Sequence, residues 1–79
     1  MKPTLILLGT SGCHLCDMAE DILYALQSTQ AFNVEIKDII ERDDWMSRYA
    51  LKIPVVLDNS GRELCWPFDE NRLLDFLAQ

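Results

Sequence analysis

The chain has 79 residues, 49% of them hydrophobic, and a formal net charge of −6 at pH 7. A chain of this length provides one small core, so we expect a single domain over residues 1–79. The seven Lys and Arg residues are scattered singly, which argues against a nucleic acid or a membrane surface as partner, because binding to either needs clustered cations.

The first half of the chain predicts a strand, a helix and a second strand. Residues 4–8 form an uninterrupted apolar run that Gly9 ends, which is typical of a strand buried on both faces. Apolar residues then recur at helical spacing and predict an amphipathic helix of about three to four turns. These residues are Leu15, Met18, Ala19, Ile22, Leu23 and Leu26. Residues 32–39 alternate between apolar and polar side chains, as a strand does.

The second half predicts a helix, a hairpin and a last helix. Helical spacing returns over residues 41–51 and ends before Pro54, because proline disfavours helix in the residue that precedes it. Residues 55–57 and 62–66 read as two strands joined by an Asp-Asn-Ser-Gly turn. Asp69 is a candidate N-cap for the final helix. The buried stripe of that helix is predicted at Leu73, Leu74, Phe76 and Leu77.

The predicted element order is therefore β-α-β-α-β-β-α. Two neighbouring strands joined by a helix lie parallel with a right-handed crossover, and a hairpin places its two strands antiparallel. We expect an α/β fold with a four-stranded mixed sheet flanked by helices.

Two cysteines lie at the predicted turn between the first strand and the first helix, in Cys13-His14-Leu15-Cys16. Unpaired amide groups and the helix dipole favour a thiolate at such a position. We therefore interpret Cys13 as an attacking nucleophile, and Cys16, one turn further along, as the thiol that resolves a mixed disulfide. His14 is either a group that favours the neighbouring thiolate or a spacer that faces solvent.

Metal binding is the alternative for this cysteine pair. Zinc needs four ligands, and the chain offers only Cys65 and His14 besides the pair, while an iron–sulfur cluster shared between two subunits also stays open. Cys65 is most simply a small core residue on the fourth strand, and its other interpretation is oxidation or an intermolecular bridge. An odd number of cysteines without a signal-peptide pattern favours the cytoplasm, where thiols stay reduced.

The strand order, the Cys-x-x-Cys turn and the Ile53-Pro54 pair together resemble the thioredoxin fold, and most closely a bacterial group of small glutaredoxin-like proteins. The resemblance implies a cis Ile53-Pro54 peptide bond that faces the cysteines and leaves neighbouring backbone groups free to pair with an extended substrate segment. Together with the placement of the two cysteines, it leads us to expect a thiol–disulfide oxidoreductase that acts on protein or small-thiol disulfides, as a monomer and without a bound cofactor. Glutathione or a reductase would restore the dithiol.

The chain departs from typical glutaredoxins at three places. It lacks a lysine before the cysteines and a Pro-Tyr pair between them, and Cys65-Trp66-Pro67 stands where a Gly-Gly-x-Asp-like stretch admits glutathione. The bulky Trp66 argues against a close approach of glutathione, and it is either core packing or a cover for the dithiol. Lys52 and Asp69 are candidates for a glutathione carboxylate and amino group, and are otherwise a surface charge and a helix cap. A second hypothesis is therefore a thioredoxin-fold module that binds a protein partner, with non-catalytic or regulatory cysteines.

Overall fold

The computed structural model describes residues 2–79, which contain four strands and three α-helices. The strands are β1 (Thr4–Gly9), β2 (Asn33–Asp38), β3 (Val55–Leu57) and β4 (Glu63–Cys65). The helices are α1 (His14–Gln27), α2 (Asp43–Tyr49) and α3 (Glu70–Ala78), and a 3₁₀ helix spans Ile39–Glu41. None of these helices has the length and apolar character that a membrane crossing requires.

The strands form one mixed sheet in the order β2-β1-β3-β4. β1 runs parallel to β2 and antiparallel to β3, which in turn pairs antiparallel with β4. The predicted fold class is confirmed, since α1 connects the two parallel strands and the last two strands form a hairpin. β1 is the central strand that its apolar run predicted, with Leu5, Leu7 and Leu8 at most 1% exposed.

Side chains on the two faces of the sheet form two hydrophobic clusters. α1 and α3 cover one face, where Leu23 and Leu73 join Leu7 and Val56 of the sheet in the larger cluster. α2 covers part of the other face, where Tyr49 belongs to the smaller cluster. Because side chains alternate along a strand, neighbouring residues of β1 contribute to different clusters.

The helix predicted over residues 41–51 is shorter in the structure and follows a separate 3₁₀ helix. The Asp38 side chain caps the start of this 3₁₀ helix, and the Glu41 carboxylate accepts a hydrogen bond from Asp38 N–H at 3.0 Å. Such a capping box satisfies two backbone donors and closes the turn. The α-helix therefore begins only at Asp43 and ends at Tyr49.

The buried face of α1 is rotated relative to the stripe that the sequence predicts. Leu15 and Met18 belong to the apolar pattern that predicts the helix, but they are 43% and 42% exposed and so do not lie in the core. Cys16 takes the core side of the first turn instead. Because successive helical residues point about 100° apart, turning Cys16 inward turns Leu15 towards solvent. The apolar side chains of Leu15 and Met18, in or near the cysteine motif, therefore lie on the surface.

Arg62 ties the β3–β4 hairpin to the C-terminal end of α3. Its Nε donates to Asp58 Oδ2 at 2.6 Å, and its guanidinium donates to the carbonyl oxygens of Phe76 and Gln79 at 2.9 and 3.2 Å. The guanidinium also lies 4.7 Å from the centroid of the Phe76 ring. Asp58 accepts further hydrogen bonds from the Ser60 and Arg62 N–H groups, which closes the turn. One side chain thus serves both the hairpin and carbonyl groups that have no partner within the helix.

We expect Arg62→Met to lower the free energy of unfolding by about 1.5–3 kcal/mol, the usual range for hydrogen bonds to a charged group. Methionine keeps an aliphatic stem of similar length but removes every donor. Arg72→Met is the matched control, because Arg72 is an exposed residue of α3 whose guanidinium is in none of the ion pairs within residues 2–79. Urea denaturation measures the free energy of unfolding of both variants. Equal losses would show that the hydrogen bonds of Arg62 do not stabilise the fold.

Asp58 should make the stability of the fold sensitive to acid. Burial raises the pKa of Asp58, but hydrogen bonds from Arg62 and Ser60, together with the Arg62 charge, outweigh burial and leave the pKa below its ordinary value. A carboxyl group of this kind stabilises the folded state fully above about pH 4, and the contribution is lost as the pH falls through the folded-state pKa.

Asp58→Asn should therefore reduce stability at neutral pH and flatten the loss of stability between about pH 5 and pH 2. Urea denaturation across this range measures the slope. Asp75→Asn, at an exposed carboxylate of α3, is the control and should keep the wild-type slope. An unchanged slope in Asp58→Asn would mean that other carboxylates cause the acid sensitivity.

Candidate active site

The two sulfurs of the Cys-x-x-Cys motif form a disulfide where the chain enters α1. The Cα atoms of Cys13 and Cys16 are 5.2 Å apart. Cys13 is half-buried, whereas Cys16 is 7% exposed and belongs to the core. Cys13 is thus the sulfur that a substrate in solution can approach.

Cys13 is the N-cap of α1. Its backbone is extended, with φ −89° and ψ 103°, and its Sγ accepts a hydrogen bond from Cys16 N–H at 3.2 Å. A sulfur in this place faces amide groups of the first helical turn that lack partners within the helix. These donors and the positive end of the helix dipole favour negative charge, so reduction of the disulfide would leave the Cys13 sulfur where a thiolate is stabilised.

The loop that precedes Cys13 is a tight turn. Cys13 N–H donates to the Thr10 carbonyl oxygen at 3.4 Å. Gly12 has φ +75°, a conformation that residues with a side chain rarely adopt. The Thr-Ser-Gly segment therefore turns the chain from the end of β1 directly into the helix and places Cys13 at its first turn.

A cleft of about 230 Å³ borders Cys16 but is not lined by Cys13. It lies beside α1 where the ends of β1 and β2 meet, and Ile36, Lys37 and Asp38 line its β2 side. The other lining residues are Leu7, Gly9, Thr10, Ser11, Asp17 and Glu20. Sequence reasoning missed this cleft, although the parallel strands that it predicted bring the end of β2 beside the cysteine turn.

The Ile53–Pro54 peptide bond is cis, and Pro54 is fully buried. The Ile53 N–H donates to the Tyr49 carbonyl oxygen, and the Pro54 carbonyl oxygen accepts from Trp66 N–H, both at 3.1 Å. The expectation that the backbone groups beside this bond are free is therefore wrong for these two groups. The last turn of α2 takes one of them, and the segment after β4 takes the other. The Ile53 carbonyl oxygen accepts no hydrogen bond within residues 2–79.

Trp66 packs against the core. Its ring is half-buried against the larger cluster and meets Phe68 edge to face, with 5.1 Å between the ring centroids. The Trp66–Pro67 peptide bond is a second cis bond, which the sequence did not predict. Through its hydrogen bond to Pro54, the Trp66 backbone joins the Pro54 loop.

The three polar candidates lie on the surface. His14 is the exposed first residue of α1, and Lys52 is exposed in the turn after α2. Asp69 is the N-cap of α3 that the sequence predicted, and its side chain accepts from Arg72 N–H at 2.9 Å. Among residues 2–79, no hydrogen bond or ion pair occupies the side chains of His14 and Lys52, so both are available to a ligand.

Cys65 is exposed, and its prediction as a core residue is wrong. It belongs to β4, the edge strand, and pairs with Val55. Its side chain points to the face that α2 covers only in part, whereas its neighbour Leu64 points to the core beneath α1 and α3. Within residues 2–79, no three His, Cys, Asp or Glu side chains are arranged to hold a metal ion. Cys65 and the cysteine pair therefore do not share a metal site within one described chain.

Comparisons with known proteins agree with this architecture. The sequence model of the family described as Glutaredoxin-like domain (DUF836) matches residues 4–78. The X-ray structure of protein XcR50 from X. campestris is 39% identical, with a TM-score of 0.79, over 94% of this chain and 95% of that one. The solution structure of protein Ne2328 from Nitrosomonas europaea is 28% identical, with a TM-score of 0.84, over 98% of this chain and 93% of that one. No curated protein matches the chain.

The family match begins at the first residue of β1 and ends at the last residue of α3. It therefore includes the disulfide, the Pro54 loop and all the strands described above. Since the match spans almost the whole chain and a structure with the same fold is 39% identical, the chain belongs to the glutaredoxin-like domain family.

Proposed function

We propose that the protein is a thiol–disulfide oxidoreductase that acts on protein or small-thiol disulfides. In the dithiol form, the Cys13 thiolate attacks a substrate disulfide, forms a mixed disulfide and releases one substrate thiolate. The Cys16 thiolate then attacks the Cys13 sulfur, which closes the Cys13–Cys16 disulfide and releases the second substrate thiolate. Two electrons pass from the dithiol to the substrate, and the released thiolates take up the two protons that the cysteines lose.

The observation that carries this proposal is the unequal placement of the two sulfurs. Cys13 is accessible at the helix start, and Cys16 lies one turn deeper and within bonding reach of it. A disulfide that closes so small a ring adds little to stability, because the entropy removed from the unfolded chain grows with ring length. The pair therefore suits exchange better than it suits stapling the fold.

Two molecules of glutathione, or a reductase, would return the two electrons, so the proposed reaction needs no bound cofactor. An extended substrate segment beside Cys13 can donate a hydrogen bond to the free Ile53 carbonyl oxygen, which is a restricted form of strand addition. We propose that the protein acts in the cytoplasm, because a reducing compartment keeps such a dithiol in its active form. We also propose that it acts as a monomer.

Cys13→Ser and Cys16→Ser should fail in different ways. Cys13→Ser removes the nucleophile, so reduction of a model disulfide falls to the background rate. Cys16→Ser keeps the nucleophile but cannot resolve the mixed disulfide. After treatment with oxidised glutathione, intact-mass spectrometry should therefore find one glutathione on Cys16→Ser, and peptide mapping should place it on Cys13.

Cys65→Ser is the control for these variants and should keep wild-type activity, because Cys65 lies on the edge strand outside the disulfide. In glutathione buffers the wild-type couple should titrate between about −270 and −180 mV, the span of small redox domains. Glutathione found on Cys65 instead, or full activity in Cys13→Ser, would overturn the assignment of the nucleophile.

Lys52→Met and Asp69→Ser test whether glutathione is the reductant that these side chains recognise. Each should raise the KM for glutathione about two- to fivefold, as the loss of one exposed ion pair does. Serine is chosen at position 69 because it keeps the N-cap of α3 while removing the charge. Turnover with dithiothreitol should stay unchanged in both variants. An unchanged KM for glutathione would leave Lys52 as a surface charge and Asp69 as a cap.

A second candidate function is a module that binds a protein partner. It is favoured by Leu15 and Met18, which are exposed apolar side chains in or near the cysteine motif. It is also favoured by the internal hydrogen bonds that occupy backbone groups of the Pro54 loop. Two measurements separate the candidates. If the protein is a binding module, Cys13→Ser still binds the partner, and the wild-type protein shows no reductase activity.

A further inference from the structure

Gly9 is the last residue of β1, and Cys16 packs directly on it. A Cβ atom built at Gly9 would lie 2.9 Å from Cys16 Sγ and 3.0 Å from Cys16 Cβ. Non-bonded carbon atoms attract each other best at about 3.5–4.0 Å, so a side chain at this position would push against Cys16. The end of the strand and the first turn of the helix thus lie too close together for a side chain at Gly9 unless Cys16 shifts.

The reason for a glycine at this position is space and not backbone conformation. Within residues 2–79 the glycines with positive φ are Gly12 and Gly61, so Gly9 has a backbone that other residues also adopt. Gly9 pairs in register with Asp38 of β2 as an ordinary strand residue. Glycine weakens a strand and often marks a close approach of another group, which here is the Cys16 side chain.

The two redox states of Cys16 differ in how they could escape such a contact. In the disulfide, the Cys16 sulfur is bonded to Cys13 and cannot turn away. In the dithiol, the sulfur is free to rotate about the Cα–Cβ bond, which relieves the shorter of the two contacts. A methyl group at position 9 would therefore disfavour the disulfide more than the dithiol.

We infer that Gly9 is a positioning residue for the redox couple: its missing side chain lets the Cys16 sulfur occupy the place that the disulfide requires, and so favours the oxidised form. This inference rests on the proposed exchange function. The same place is where the Cys16 thiolate must lie to attack a mixed disulfide on Cys13, so Gly9 also supports the resolving step.

Gly9→Ala tests the inference through the equilibrium with glutathione. We expect the equilibrium constant between disulfide and dithiol to move about tenfold towards the dithiol, which makes the potential about 30 mV less negative for a two-electron couple. During turnover with oxidised glutathione, rapid acid quenching and mass spectrometry should show a larger fraction of mixed disulfide on Cys13 than in the wild type.

Gly61→Ala is the matched control. It is the same substitution in the hairpin turn, at φ +84°, with no atom within 4 Å of the added methyl group. The substitution strains the backbone and lowers stability in both redox states alike. The equilibrium constant of this variant should therefore stay within about twofold of the wild-type value, which corresponds to about 9 mV in potential. If Gly9 had only a structural role, Gly9→Ala would likewise lower stability and leave the potential unchanged.

Unfolding by urea gives a second measurement that does not depend on exchange activity. Gly9→Ala should lose more stability when oxidised than when reduced with dithiothreitol, and Cys16→Ala, which removes the sulfur, should shrink the loss that Gly9→Ala causes. If Gly9→Ala does not fold, recovery of folding in the double variant supports the inference, and failure to recover overturns it. Equal losses in both redox states, with an unchanged potential, also overturn it.

The two proposals fail in separate ways in these experiments. A wild-type protein whose cysteine pair reaches no dithiol–disulfide equilibrium with glutathione or with dithiothreitol would refute the oxidoreductase function, while the unfolding comparison would still decide the role of Gly9. If the wild-type couple titrates in the expected range and Gly9→Ala has the same potential and equal stability losses in both redox states, only the role of Gly9 is refuted.

Discussion

The contact between the first turn of α1 and the end of β1 is the constraint on which the rest of the site depends. The helix follows the strand after a tight turn, so its first residues must lie against the last strand residue, and Gly9 leaves the room that Cys16 needs there. This packing buries Cys16, leaves Cys13 at the N-cap and turns Leu15 towards solvent. The difference between the two sulfurs is therefore a consequence of how a helix packs on a sheet, and the proposed redox chemistry depends on that difference.

A second set of contacts fixes the loop that carries the buried proline. The carbonyl oxygen of Tyr49 holds Ile53, and the hydroxyl of Tyr49 donates to Glu63 of β4. Burial, and then the hydrogen bond to Glu63, raise the pKa of Tyr49, so the hydroxyl keeps its proton through the neutral range. The Trp66 N–H also donates to the Pro54 carbonyl oxygen. Hydrogen bonds therefore connect the loop to α2 on one side and to the segment after β4 on the other. The backbone of this loop is committed to the fold, and it offers a substrate little beyond the Ile53 carbonyl oxygen.

The parts of the molecule that sequence reasoning predicts are those with local causes. Apolar spacing identifies each strand and helix, and the chemistry of an N-cap identifies Asp69. The parts that it missed depend on which element covers which face. Exposure of Cys65 follows from the place of β4 at the sheet edge, and exposure of Leu15 follows from the rotation of α1 that buries Cys16. Neither is encoded in the periodicity of its own segment. The use of Ile53 N–H by α2 is likewise a contact between elements, which proline alone does not reveal.

Charge and apolar surface together bear on the choice of substrate in the proposed reaction. Three of the arginines are already paired within the described chain, with Asp44, Glu63 and Asp58 as their partners. The other four cations, Lys2, Lys37, Lys52 and Arg72, are in none of these ion pairs, and Lys37 lines the cleft beside Cys16. An anionic ligand such as glutathione can therefore pair with Lys37 or Lys52, but exposed ion pairs of this kind are worth at most about 1 kcal/mol. Apolar side chains in and near the cysteine motif offer burial worth about 25 cal/mol per Å² instead. A protein disulfide on an apolar segment gains from that surface, whereas a reductant needs only to reach the disulfide. For the proposed reaction, this surface therefore supports protein disulfides as the substrate and small thiols as the reductant.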